Sequence, residues 1–163
     1  MYMLLKFGGG MRFVKLVFVV IAALFLYSVS FAADIKRDAD IVEVAGKVEV
    51  KNTKGTWIPA QIGMKLNEGD VVRTMEDSFA VIKLNGSEAA TVEVKKNSQM
   101  RLAQLTQNTD KKTQSTMLDL ALGDVLIKAQ KLHSEKSKFE VKTPTSIVGV
   151  RGTTFSVSVE AVQ

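Results

Sequence analysis

The chain has 163 residues, no cysteine and a formal net charge of +5 at pH 7. This length suits one domain, and the lack of cysteine excludes thiol catalysis, thiolate metal sites and disulfides. Three of the 22 basic residues and none of the 17 acidic residues precede Ala33. Beyond that point 19 basic residues face 17 acidic ones, which gives no basis for nucleic-acid binding.

The N-terminal segment has the order of a secretory signal peptide: basic residues, an apolar run, then small residues. The apolar run, Leu16–Tyr27, has 12 residues, fewer than the roughly 20 that a membrane-spanning helix needs. We predict a signal peptide over residues 1–32, with cleavage after Ala32 and Met11 as a candidate start. The protein would then be exported to the periplasm or cell surface. The alternative is a retained inner-membrane anchor.

The first part of the remaining chain predicts strands, because apolar and polar residues alternate with a period of two. The alternation from Val42 to Val50 is either one half-buried strand or a hairpin that turns at Ala45-Gly46. Trp57 precedes Pro59, a residue that suits an edge strand or the end of a strand. Asn85-Gly86 is a strong hairpin signal. The other predicted turns and strands lie at residues 52–55, 67–70, 71–74, 79–84, 91–94 and 100–102.

The second part contains a polar segment and a long alternating one. Residues 104–116 are polar, and we predict a solvated loop or the tip of a long hairpin. The alternation over residues 117–129 predicts a strand that is interrupted at Gly123-Asp124. A helix is the alternative there, because leucine and alanine favour helices. Residues 133–138, which include the single histidine, predict a second loop.

Many short strands separated by turns predict an all-β fold, a compact antiparallel β-sandwich or roll that follows an N-terminal signal helix. An internal echo, Leu66-x-x-Gly69-Asp70-Val71 and Leu120-x-x-Gly123-Asp124-Val125, allows two similar β-units or a short solenoid-like stack. We expect a short linker over residues 33–40 and one β-domain over residues 41–163.

The segment near the C-terminus changes phase in its middle. Val148 and Val150 are apolar at even positions, whereas the apolar residues over 155–159 occupy odd positions. A slip of one residue turns side chains to the opposite face of a sheet. We therefore predict a bulge or a sharp bend at this point, and Gly149 and Gly152 give it a structural reason.

Arg151 lies at the predicted bend. A buried arginine needs acceptors, and Asp70 and Asp124 of the two Gly-Asp turns are the preferred partners. The alternatives are a solvated arginine at a strand end and an anion-binding site. If the ion pair is structural, Arg151→Ala should lower the stability of the fold.

Several motifs, in this order and spacing, make residues 40–160 similar to a known family. They are Gly69-Asp70-Val71-Val72-Arg73-Thr74, Ser78–Leu84 with Gly86-Ser87, Leu120-x-Leu122-Gly123-Asp124-Val125, and Thr143-Pro144 followed by Val150-Arg151-Gly152-Thr153-Thr154-Phe155-x-Val157. This pattern resembles the FecR domain. The motif residues that we expect to build the scaffold are Gly69, Asp70, Arg73, Thr74, Gly123, Asp124, Pro144, Arg151, Gly152, Thr153 and Phe155.

The resemblance implies an extracytoplasmic β-domain. In the best-known members, such a domain relays a signal from an outer-membrane receptor to a cytoplasmic sigma factor. Many relatives are exported modules of unknown role, and some are attached to glycan-binding domains. The signalling members carry a cytoplasmic helical region before their membrane span, whereas only a short basic leader precedes the apolar run here. The family pattern also commonly continues beyond the last strand, so residues 155–159 would lie at an exposed edge that invites pairing with another chain.

We predict no catalytic residue, cofactor or metal site, because no nucleophile elbow, metal-ligand cluster or phosphate-binding loop occurs in the sequence. The leading hypothesis is a non-catalytic exported interaction or sensor module, whose partner is a protein or a cell-wall glycan. The first alternative is a membrane-anchored protein of sigma-factor regulation. The second is a binder of peptidoglycan or other carbohydrate that uses Trp57 as a stacking platform. Contact with a membrane is expected only if the leader is retained.

Overall fold

The computed structural model describes residues 34–86, 89–130, 134, 136–150, 152 and 154–160, which exclude the predicted signal segment. Most of these residues lie in strands and none lies in a helix, which confirms the all-β prediction. The strands are β1 (Ile35–Lys36), β2 (Ala39–Ala45), β3 (Val48–Lys51), β4 (Trp57–Pro59), β5 (Lys65–Leu66), β6 (Val71–Thr74), β7 (Phe79–Leu84), β8 (Ala90–Val94), β9 (Gln99–Asn108), β10 (Thr113–Ala129), β11 (Lys138–Lys142), β12 (Ile147–Val150) and β13 (Thr154–Val159).

Two sheets share the long strand β10. The first half of β10 pairs with β9, and the first sheet has the order β4-β3-β6-β9-β10-β11-β12. Beyond Gly123, the second half pairs with β8, and the second sheet has the order β13-β10-β8-β7-β2-β5. Neighbouring strands are antiparallel except β10 and β11, which are parallel. The short β1 pairs with the far end of β9.

The two sheets share one apolar core, which the period-two patterns supply. In β8, for example, Ala90, Val92 and Val94 are buried, whereas Thr91 and Glu93 are half-buried on the other face. The largest side chains with almost no exposure come from both sheets: Ile41, Leu66, Ile82, Leu84, Met100, Leu102, Leu105, Leu118, Leu120 and Ile127. A core of this kind stabilises a domain without disulfides, because burial of apolar area is the main driving force of folding.

The chain passes from the second sheet to the first at Gly46, between β2 and β3. The φ angle of Gly46 is 70°, a left-handed conformation that glycine adopts without steric cost. A turn between β6 and β7 holds this corner: the N–H of Lys47 donates to Oγ of Ser78 at 2.8 Å. The N–H of Met75 donates to the carbonyl of Lys47 at 3.1 Å, so the corner is bound at two points.

The same corner recurs at Gly123, where β10 passes from the first sheet to the second with a φ angle of 88°. The N–H of Asp124 donates to Oγ of Ser98 at 2.9 Å, and the N–H of Lys95 donates to the carbonyl of Asp124 at 2.9 Å. The turn residues before the two serines, Asp77 and Asn97, both have positive φ angles, 49° and 53°. Residues 71–82 and 91–102 are therefore two copies of one structural repeat, offset by 20 positions and with matching buried positions.

This repeat corrects the predicted internal echo. Two similar β-units are present, but the structural counterpart of Gly123-Asp124 is Gly46-Lys47 rather than Gly69-Asp70. Gly69 lies in a tight turn before β6, where its N–H donates to the carbonyl of Leu102 at 2.7 Å. Gly123 lies within a continuous strand.

Several other predictions differ from the structure. β2 and β3 form neither one strand nor a hairpin, because they belong to different sheets and Gly46 separates them. A register shift between Ile41 and Glu43 leaves Val42 exposed, so Ala39 and Ile41 face the core instead. Most of residues 104–116 are paired strand, with the tip of the hairpin at residues 109–112. The segment predicted as a linker carries β1 and the beginning of β2.

Candidate functional site

An apolar groove of about 540 Å³ opens between β12, β13 and the corner of β10. Its lining includes Leu122 and Val148, which are 38% and 37% exposed. The turn that joins β11 to β12 and Glu160 also line it. The full lining is Ala121, Leu122, Thr143, Pro144, Thr145, Ser146, Val148, Ser156, Val157, Ser158, Val159 and Glu160.

Two strand edges border this groove. Within the part of the chain that the structure describes, β12 pairs with β11 alone and β13 pairs with β10 alone. Each therefore presents one row of backbone N–H and carbonyl groups that no described strand satisfies. Such a row is a template for pairing with a further strand.

The bend that the sequence predicts between Val150 and Phe155 places β12 and β13 in different sheets. β12 ends at Val150 in the first sheet, and β13 begins at Thr154 in the second. Gly152 between them has a φ angle of 66°, as a sharp bend requires. Phe155 then meets Phe139 of β11 edge-to-face at 6.4 Å between ring centroids. This contact joins the two sheets beside the groove.

The motif residues that the structure describes are mostly parts of turns and corners. Asp70 accepts a hydrogen bond from the N–H of Asn67 at 2.8 Å and so closes its own turn. Thr74 accepts one from the N–H of Ser98 at 3.0 Å, which ties β6 to the second corner turn. Pro144 lies in a turn that Thr143 closes, because the Thr143 hydroxyl accepts from the N–H of Ser146 at 3.0 Å.

Arg151 and Thr153 lie outside the described residues, so the ion pair of Arg151 with Asp70 or Asp124 stays a prediction. The two candidate carboxylates lie in different elements of the fold. Asp70 lies in the turn before β6, and Asp124 lies at the corner of β10.

The decisive comparison concerns residues 70–163, more than half of the chain, which match a family model described as FecR protein. The chain belongs to the FecR protein family. No curated protein and no solved structure matches the chain. FecR proteins are regulatory and associated with the cell envelope. The FecR segment contains the groove, β6 to β13 and both corner turns.

Strands that precede the FecR segment complete its sheets. β2 pairs with β7, and β3 pairs with β6. The corner at Gly46 therefore depends on residues on both sides of the start of the match, Lys47 and Ser78. The folded unit is larger than the segment that carries the family pattern.

Trp57, the candidate stacking residue of this FecR protein, lies on the edge strand β4. The guanidinium of Arg73 lies 4.0 Å from the centroid of its ring, and Nζ of Lys51 lies 5.8 Å from it. Arg73 also forms an ion pair with Glu49. Cation–π contacts of this kind hold the ring in place, and the arginine covers ring area that a sugar would need. Carbohydrate stacking on Trp57 stays a prediction.

Titratable groups do not converge on the groove. Over the described residues, no three histidine or acidic side chains lie close enough to hold a metal ion, and no helix is long and apolar enough to cross a membrane. The pKa of Asp38 is lowered by hydrogen bonds from Lys65 and Asn85, but these residues lie near β5, away from the groove lining. His133 lies outside the described residues.

A buried arginine, Arg37, was not predicted from the sequence and is 7% exposed. Its guanidinium donates to the carbonyls of Thr106, Asn85 and Ser115 at 3.1, 2.9 and 3.3 Å. It also donates to the side chains of Gln114, at 2.7 Å, and Thr116. Its side-chain partners lie in the segment predicted as a loop, where polarity alone predicts solvent exposure. The sequence therefore carries no signal for this buried arginine, although buried amides and hydroxyls need partners.

Proposed function

We propose that this chain is a non-catalytic interaction and sensor module of the bacterial envelope, which recognises a protein partner by strand pairing along β13. One observation carries the proposal: β13 is a six-residue edge strand without charge or proline, and it borders an apolar groove. In strand addition, main-chain hydrogen bonds supply affinity and pockets for alternate side chains supply specificity.

The other edges support this assignment by contrast. Natural proteins protect edge strands by making them short, by placing charges or proline in them, or by covering them. β4 has three residues and ends in Pro59, and β5 has two residues and begins with Lys65. β12 has four residues, one of which is Gly149. β13 has none of these protections among its described residues.

The test is complementation in cells that lack the gene, with the profile of cellular transcripts as the readout. Ser156 is exposed on β13, so Ser156→Lys adds an edge charge without disturbing the core. Gln104→Lys adds the same charge to β9, an interior strand, and serves as the matched control. We expect wild type and Gln104→Lys to restore the transcript profile and Ser156→Lys to fail at equal protein level. Full restoration by Ser156→Lys would overturn the proposal.

A photo-crosslinking side chain in place of Ser156 tests directly whether β13 contacts a partner. We expect it to trap one defined protein in cells, whereas the same group in place of Gln104 traps none. The trapped protein is identified by mass. Equal labelling at both positions would contradict recognition at β13.

A second candidate function, anchored signalling in sigma-factor regulation, is favoured by the FecR match. It requires that the segment before Ala33 be retained in the membrane. Intact mass of the protein from membrane and soluble fractions separates the two. A soluble species that begins at Ala33 favours the exported module, and a membrane-bound species that begins at Met11 favours the signalling protein.

A further inference from the structure

We propose that the partner strand at β13 is supplied by a second copy of the chain, so that two β13 strands pair antiparallel about a two-fold axis at Val157. This inference rests on the proposed function, because it names the occupant of the same edge. It follows from the pattern of faces and charges along residues 154–160.

The two faces of β13 fix the possible registers. Val157 is buried and Phe155 and Val159 are half-buried, whereas Thr154, Ser156 and Ser158 are exposed. Residues that lie opposite each other in an antiparallel pair point to the same face of the sheet. A two-fold axis must therefore pass through a residue of β13, because an axis between residues would oppose an inward side chain to an outward one.

An axis at Val157 pairs every residue from Thr154 to Glu160 with a suitable partner. The buried Val157 then lies opposite its own copy, and Phe155 lies opposite Val159 of the second copy. Ser156 lies opposite Ser158 of the second copy. Apolar side chains thus meet on the inward face and hydroxyls on the outward face, which is the pairing that stabilises sheets.

Charge is compatible with the same register, and the attraction between Lys128 and Glu160 is weak at roughly one Debye length. Thr154 lies opposite Lys128 of β10 on the exposed face. On its other side, the register places Glu160 of the second copy opposite Thr154. The lysine and the glutamate then lie in one row, two strand spacings or roughly 10 Å apart, on the two sides of a short threonine. Their opposite charges attract, and no two like charges face each other across the pair.

The pairing also accounts for the groove. Leu122 and Val148 are exposed apolar residues in a lining that runs along β13. A strand added to the free edge of β13 extends the second sheet over this side, and its inward side chains cover apolar surface that water otherwise contacts. Because the contact is isologous, both grooves are covered at once and the assembly closes as a dimer.

The absence of cysteine from the sequence gives a sharp test of this register. Ser156→Cys and Ser158→Cys are prepared separately in the full chain as cells produce it. In the proposed dimer, these positions lie opposite each other across the axis, roughly 5 Å apart between Cα atoms, which a disulfide spans. Each position lies roughly 7 to 8 Å from its own copy, too far for an unstrained disulfide.

We expect oxidation of a mixture of the two variants to give a disulfide-linked dimer at least about 10-fold faster than oxidation of either variant alone, as opposite and diagonal cross-strand positions predict. Sedimentation should show a dimer for wild type and for Gln104→Lys and a monomer for Ser156→Lys. A monomeric wild type, or equal cross-linking in the single-variant samples, would overturn the inference. If the wild type is monomeric and the crosslinker at Ser156 traps a different protein in cells, the proposed function stands and self-pairing fails.

Discussion

The hydroxyl of Ser98 accepts a hydrogen bond from the backbone N–H of Asp124 at 2.9 Å and so fixes the corner at which β10 changes sheets. Ser98 is 1% exposed. Loss of the hydroxyl would leave a part-buried N–H without this acceptor, which costs about 1–3 kcal/mol. We expect Ser98→Ala to lower the free energy of unfolding by that amount, measured by urea denaturation. Ser78→Ala removes the equivalent bond at the other corner and should cost a similar amount. If neither change lowers stability, the serines do not hold the corners.

Gly123→Ala should destabilise the fold more than Gly55→Ala, although both glycines have a φ angle of 88°. The left-handed backbone costs an alanine about 1–2 kcal/mol at either site. At Gly123, an added Cβ would also lie 2.5 Å from Cα of Ser98, whereas no atom lies within 4 Å at Gly55. Overlap of this kind adds roughly 1–3 kcal/mol. Thermal midpoints of the two variants measure the difference, and equal midpoints would contradict tight packing at the corner.

Arg37→Met should lower the free energy of unfolding by roughly 3 kcal/mol or more, because charge-assisted hydrogen bonds are strong and their buried acceptors would lose a donor. Arg37→Lys should restore little of this loss, since one ammonium cannot reproduce the planar guanidinium fork. Lys36→Ala is the control, because the neighbouring lysine is exposed and its contact with Glu68 is 3.6 Å long. Denaturant unfolding distinguishes these cases, and equal stability of Arg37→Met and Lys36→Ala would refute the role of Arg37.

Acid should weaken the fold in part through Glu49. The hydrogen bond from Arg73 lowers the pKa of this carboxyl in the folded protein. A lowered carboxyl pKa stabilises the fold above the unfolded pKa, and the contribution is lost as the pH falls through the folded pKa. We expect the thermal midpoint to fall as the pH drops below the ordinary glutamate pKa, and Arg73→Gln to make that fall smaller. Lys54→Gln, in an exposed turn, should leave the pH dependence as in wild type. The same pH dependence in Arg73→Gln would show that the pair contributes nothing.

Strand positions were predictable because successive side chains of a half-buried strand point to opposite faces. The sequence of such a strand therefore alternates between apolar and polar residues. Phe79–Leu84 and the bend before Phe155 follow directly from that rule. The corners were not predictable in the same way. Ser78 and Ser98 act on backbone groups that are distant in sequence, and their sequence signal is only an Asp-Ser and an Asn-Ser pair 20 residues apart.

The polar hairpin shows a different limit. Asn108, Gln114 and Thr116 are buried, yet polarity over this stretch predicts solvent exposure. Burial is possible because Arg37 donates to Gln114 and Thr116 and because Asn108 donates to Asp34 at 2.9 Å. These partners precede the hairpin by about 70 to 80 positions. The parallel pairing of β10 with β11 is likewise invisible to periodicity, since alternation is the same in parallel and antiparallel strands.

Because β10 belongs to both sheets, both sheets depend on it for completion. β8 and β9 each take β10 as a neighbour, and so do β11 and β13. The pairing with β9 begins as a local hairpin. The pairings with β8, β11 and β13 join residues farther apart in sequence, and such contacts close more slowly and cost more chain entropy. During synthesis, neither sheet is complete until residues 113–129 have emerged. Until then, β8 and β9 have backbone N–H and carbonyl groups that lack their partners on β10.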